Sequence, residues 1–203
     1  MIQLPSDYDS AQSFNGGSSA SLTVGPHMCR IRAARLEKAR TGRDMLVIAF
    51  DIFEPGEFTD YYKNMFDRMR RKNPDAKWPG IFRTTITNAE GKTNGFFKGL
   101  IESVEASNNG YNFRQSGANE ATLQGKLVGF NFGEEEYMVQ TTGEVKTAVK
   151  PFYAVSAAEI SSGLIVPPAK KLLNNNSAPA AYSAPAQPHQ TTFTEVSNDE
   201  LPF

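Results

Sequence analysis

Cysteine is nearly absent from this 203-residue chain, which holds only Cys29. One thiol cannot close an internal disulfide, so the fold must rest on burial and hydrogen bonding, in a reducing compartment or with indifference to redox state. Histidine is almost as scarce, at His27 and His189. Nucleophilic catalysis normally sets a base beside its nucleophile, so a histidine-based triad is not expected. His27 and Cys29 share a strand parity, but no second pair completes a zinc site. No apolar run approaches the ~20 residues that span a bilayer. The opening MIQLPSDYDSAQSFNGGSSAS has neither the basic start nor the apolar segment of a signal peptide. The segment Glu90 to Thr93 resembles the end of a phosphate loop, yet Ile86 stands where the earlier glycine is required. No metal, nucleotide or other cofactor is expected, and the chain reads as cytoplasmic with no membrane partner.

What is present is unevenly spread. The composition is 39% hydrophobic and 11% aromatic, enough for a core, with a net charge of −1. All 21 lysines and arginines lie between Arg30 and Lys171 with 17 of the 22 acids, so that span carries +4 and the ends −5. A mildly basic body with acidic ends suits a polyanionic partner. Composition divides the chain into a flexible N-terminal arm (1–20), one folded domain (21–173), a charge-free Asn/Ala/Ser/Pro/Gln linker (174–194) and an acidic tip (195–203). Arm and linker have too few apolar groups to offset the entropy of ordering them.

Within 21–173, Leu46, Ile48, Phe50 and Ile52 alternate with Val47, Ala49, Asp51 and Phe53, which predicts a strand. A turn at Thr41–Asp44 joins it to an earlier strand in which Arg30 and Arg32 share a face opposite Cys29, Ile31 and Ala33. Phe58, Tyr61 or Tyr62, Met65, Phe66 and Met69 recur at helical spacing, with a basic end and closure by Pro74 and Pro79. A third strand IFRTTITN, a short helix FFKGLIESVEAS and two final strands around a Thr-Thr-Gly-Glu turn follow. Three strands, a helix and two strands, with one more helix inserted, predict a mainly β fold with one or two helices. The expected form is a five-stranded barrel of the oligonucleotide-binding (OB) type, closed or partly open, with an inserted helix and disordered termini.

A sequence-tolerant binder of single strands needs cations along the phosphates and aromatics to stack bases. Candidates on and after the first strand are Arg30, Arg32, Arg35 and Arg43, and in the inserted helix Tyr61, Tyr62, Lys63, Arg70 and Arg71. Lys77, Trp78, Phe82 and Arg83 follow, then Lys126, Lys146, Lys150, Phe152 and Tyr153. Packing competes for the aromatics: Phe50, Phe97 and Phe130 or Phe132 read as core, and any single aromatic is more often packed than stacked. Asp51, Glu54 and Glu57, or the run Glu134, Glu135 and Glu136, are candidate Mg²⁺ ligands for a nuclease, although an acidic run is more commonly a solvated turn.

The last residues offer a second chemistry. Phe203 presents an aromatic ring beside its own carboxylate, Pro202 limits the freedom lost on binding, and Asp199 and Glu200 attract a basic surround. Asn-Asp-Glu-Leu-Pro-Phe resembles the C-terminal tip of bacterial single-stranded DNA-binding proteins, carried there too on a charge-poor linker. The segments DMLVIAFDIFEPGEF, AKWPGIFR and FFKGLIESVEASNNGY are similar to divergent members from phages and mobile elements. The resemblance implies an OB body that holds single-stranded DNA and a tip, Asp199, Glu200, Leu201, Pro202 and Phe203, that recruits replication, recombination and repair proteins. It also implies the cytoplasm of a bacterial host and a homo-oligomer as one form. The expected function is therefore a non-enzymatic single-stranded DNA-binding protein. Its rivals are a protein-interaction adaptor with an OB-like barrel and a Mg²⁺-dependent nuclease.

Overall fold

The computed structural model describes residues 21–173; the arm, the linker and the tip fall outside the described residues. Five strands form one antiparallel sheet: β1 (Gly25–Lys38), β2 (Asp44–Ile52), β3 (Ile81–Thr85), β4 (Leu127–Met138) and β5 (Val145–Val155). Helix α1 (Tyr61–Lys72) lies between β2 and β3, α2 (Gly95–Ser107) between β3 and β4, and α3 (Ala157–Ser162) follows β5. The protein is thus mainly β, with three helices rather than the one or two expected.

β1 is the central strand, hydrogen-bonded to β2 on one side and to β4 on the other, in the order β3-β2-β1-β4-β5. Each connection follows from local chemistry. Between β1 and β2 the chain reverses over Ala39–Arg43, where Ala39 N–H donates to Arg43 O at 2.8 Å and Gly42 takes φ 79, a value only glycine adopts freely. Asn94 caps α2 by accepting the Phe96 N–H, and Ser156 caps α3 in a reciprocal box with Glu159.

The expected alternation on β2 is present: Leu46, Ile48, Phe50 and Ile52 all face the core, joined there by Cys29, Ile31, Phe130 and Phe132. Burying each such side chain contributes roughly 1.5–3 kcal/mol. Phe97, expected in the core, packs against it only partly buried. Sheet closure does not occur: β3 and β5 are unpaired edges. Helix α2 packs against β3, β4 and β5 and buries Leu100 and Val104, so its apolar face covers the core where a β3–β5 seam would otherwise lie.

The acidic run Glu134–Glu136 is not a turn. It belongs to β4 and pairs with Val149, Ala148 and Thr147 of β5. Two of its three charges are matched, with Glu135 receiving Lys150 at 2.8 Å and Lys171 at 2.9 Å while Glu136 receives Lys170 at 2.7 Å. Lys171 also donates its N–H to Glu134 O and accepts that of Glu136, so the segment after α3 is strapped along β4.

Candidate nucleic-acid interface

A β-bulge decides which side chains share the outer face of the sheet. Unbroken alternation along β1 would place Arg30 and Arg32 on one side and Arg35 on the other. The register instead shifts between Ile31 and Ala33, so one extra residue, Arg32, stands against β2. Downstream parity therefore flips. Ala34 turns to the core, and Arg35 joins Arg30 and Arg32 on the outer face, as does Ala33, which was expected inside.

Beyond the bulge Arg35 pairs with Val47, and Val47 pairs with Arg83 of β3, so one row across three strands reads Arg35, Val47, Arg83. Val47 is buried between the two arginines in a small cluster with Ala39 and Met45. The aliphatic stems of long cations cover such a residue while their heads stay in water. Arg83 and Arg30 make no ion pair among the described residues, whereas Arg35 meets Glu37 at 2.5 Å.

Next to this row an open groove of ≈ 470 Å³ is lined by Arg30, Arg32, Asp51, Phe53, Asp60 and Gln124, among others. The Arg30 guanidinium carbon sits 3.5 Å from the centre of the Phe53 ring, and that of Arg32 lies 5.0 Å from the centre of the Trp78 ring. Arg32 Nη1 also donates to Asp51 Oδ2 at 3.3 Å. Trp78 is locked in turn by Nε1–H donation to Phe50 O at 3.0 Å and by Phe66 against its ring. The chain passes close at Gly80, where a Cβ would meet Phe50 O at 2.5 Å, so no larger residue fits there.

Asp51 organises the far wall. Its Oδ1 accepts the N–H of Tyr62 at 2.9 Å and its Oδ2 that of Lys63 at 3.2 Å, while Asp60 at the N-cap of α1 takes φ 56 and gives no side-chain cap. Burial raises the Asp51 pKa above its ordinary range, and the backbone N–H groups and Arg32 oppose that rise without cancelling it. From this anchored start α1 projects about 15 Å to a basic last turn of Arg70, Arg71 and Lys72. These, with Lys77, are exposed and free of ion pairs among the described residues.

The remaining expected site residues separate into three groups. Tyr62 and Phe82 were expected to meet bases, but at 7% and 6% exposure both are core, against Phe50 and Phe130 respectively. Tyr62 turns inward because Asp51 pulls the first turn of α1 onto the sheet; Phe82 sits opposite Ile48 on the core side of β3. Tyr61 is half-buried on Tyr62 and Phe58. Arg43 bonds Thr41 and the Thr87 carbonyl, tying the β1–β2 turn to the segment after β3, and Lys63 pairs with Asp67 along its own helix. On the other half of the sheet, Lys146 meets Glu144 at 3.4 Å and Lys150 meets Glu135, so every lysine after residue 140 is paired with a glutamate. Tyr153 accepts from Asn131 Nδ2 at 2.6 Å, Phe152 packs at Gly133, and Lys126 covers the Tyr111 ring at 4.5 Å.

Phe53, Asp60 and Gln124 were not anticipated in the groove. Only Phe53 carried a signal: it stands on the outward parity of β2, just past Asp51, the register partner of Arg30. The acids considered as Mg²⁺ ligands do not converge. Asp51 is engaged as above, Glu54 bonds His27 Nδ1 and the Met28 N–H, and among the described residues no group of three His, Cys, Asp or Glu is arranged to hold a metal ion.

No family model matches the chain, and no curated protein matches it in sequence. Among the described residues no helix is long and apolar enough to cross a membrane.

Proposed function

We propose that this protein binds single-stranded DNA without catalysis, holding the strand on the outer face of β1, β2 and β3. One observation carries the reading: although Arg32, Arg35 and Lys38 of β1 are paired with acids, the strand cations without an acid partner among the described residues lie on one half of the sheet. On the β4–β5 half each lysine is neutralised by a glutamate. On the other half Arg30 and Arg83 have no acid partner among the described residues, and Arg30 and Arg32 lie against aromatic rings. Cations without partners beside stacking surfaces are what an unpaired, sequence-tolerant strand requires.

The strand order supports an OB-type barrel left partly open, with α2 between β3 and β4 in the place such folds put it, and with the face of strands 2 and 3 as the surface that holds nucleic acid. Arg70, Arg71 and Lys77 extend the track along α1. The tip at Asp199–Phe203, outside the described residues, is proposed from its resemblance to recruit replication, recombination and repair proteins in a bacterial cytoplasm.

An adaptor reading is favoured by one observation, the exposure of Leu164 and Val166 beside a ≈ 530 Å³ pocket walled by Tyr153 and Pro168. Titration of fluorescent oligo(dT) separates the two. A DNA-binding face gives a log affinity that falls with log salt at about −0.7 for each phosphate contacted, and the labelled strand stays intact with and without Mg²⁺. An adaptor gives no saturable binding, and a nuclease shortens the strand.

A further inference from the structure

We propose that Arg30 and Arg32 are flat cationic platforms on which two successive bases of an extended strand stack, each guanidinium backed by an aromatic ring. This rests on the single-stranded DNA reading above and names the groups that touch bases rather than phosphates.

Three observations point the same way. First, Arg30 approaches the Phe53 ring centre to 3.5 Å. At that distance an edge-on guanidinium would drive a nitrogen into the ring, so the group lies flat and turns its other face toward the groove. A guanidinium plane stacks bases as an aromatic ring does, and adds a cation–π attraction.

Second, Arg32 is held in place before any ligand arrives. Arg32 is fixed between Asp51 and Trp78, and Trp78 is itself fixed by Phe50 O and Phe66. Phe53 is 40% exposed at the groove, so a ring is available there without unfolding anything. Less freedom of the Arg32 side chain remains to be lost on binding.

Third, the arrangement selects the strand. Arg30 rests on Phe53 and Arg32 on Trp78, rings of two different segments, whereas bases stacked in a duplex share one column at a rise of about 3.4 Å. Bases reach both platforms only when unstacked and drawn out. The groove, at ≈ 470 Å³, is of the size that holds small ligand groups.

Arg30→Lys tests the idea because it keeps the charge and removes the plane. On oligo(dT) the Arg30→Lys variant is expected to bind about tenfold more weakly than wild type, the loss of one stacked base, with the salt slope unchanged. On an abasic strand of equal length the two should bind alike, since no base is there to stack. Phe53→Leu, which removes the flat backing at an exposed position, should repeat the pattern, and thermal melts confirm that both variants fold. Arg30→Lys binding within twofold of wild type on oligo(dT), or an equal loss on the abasic strand, overturns the platforms and leaves the DNA-binding reading standing. Failure of wild type to bind either strand overturns both.

Discussion

The buried carboxylate of Asp51, in strand β2, accepts the backbone N–H of Tyr62, in the first turn of α1, at 2.9 Å. The helix is therefore capped by the sheet it packs on, not by its own preceding residue. With the Lys63 N–H on the second oxygen, that bond orients α1 and brings the Tyr62 ring onto Phe50, and the second oxygen also receives Arg32. The basic helix and the arginine groove thus share one anchor.

Removing it should be costly. Asp51→Ala is expected to lose about 2 kcal/mol of stability in urea unfolding, the upper range for a helix cap, and Asp51→Asn, which keeps one acceptor, less. The raised pKa fixes the pH dependence. The folded chain holds this proton at higher pH than the unfolded one, whose ordinary value is 3.8. The contribution is greatest below that value and declines as pH rises through the raised one. In Asp51→Asn that decline should vanish.

Glu135 has the opposite sign. Burial pushes its carboxyl up, but hydrogen bonds from Lys150 and Lys171 outweigh burial and hold it below the ordinary 4.5. Stabilisation by the two lysines is complete above that value and is lost as pH falls through the lowered folded one. Protection of the Lys171 and Glu136 amides, whose backbones pair, measured against intrinsic exchange at each pH, should fall across that acid window, and in Glu135→Gln it should be low at neutral pH already.

Tyr62 and Phe82 are core residues, so Phe82→Ala is expected to cost about 3–5 kcal/mol by chemical denaturation. Oligo(dT) affinity of the fraction that remains folded should match wild type. A tenfold weaker affinity in the folded protein would instead return Phe82 to the binding face.

Charge removal should divide the sheet in two. Arg83→Ala is expected to weaken oligo(dT) binding and to reduce the salt slope by about 0.7, one phosphate contact. Lys150→Ala, which unpairs Glu135, should leave the slope unchanged. Fluorescence titration at several salt concentrations reads both.

Periodicity revealed most of the elements because burial enforces it. Alternation placed Leu46 through Ile52, helical spacing placed α1, and turn residues such as Gly42 and Gly143 placed the reversals. Sheet closure was not readable, since whether two edges meet depends on how deeply α2 inserts, and no local pattern encodes that. The site was half readable. Cation positions showed in the chain, but their partners did not: the glutamates that silence Lys146 and Lys150, the bulge that turns Arg35 outward and the buried acid that draws Tyr62 inward are all tertiary relationships. Phe53 was visible as an outward-parity aromatic, yet only the register between β1 and β2 set it under Arg30.

The location of bound strand on the sheet is the most direct test. Backbone amide shifts of isotope-labelled protein, followed by NMR during titration with oligo(dT), should move at Arg30–Arg35, Asp51–Phe53 and Trp78–Arg83. Gly133–Lys150 should stay still. Shifts concentrated on β4 and β5, or none at saturating oligonucleotide, would contradict the arginine face as the strand-holding surface.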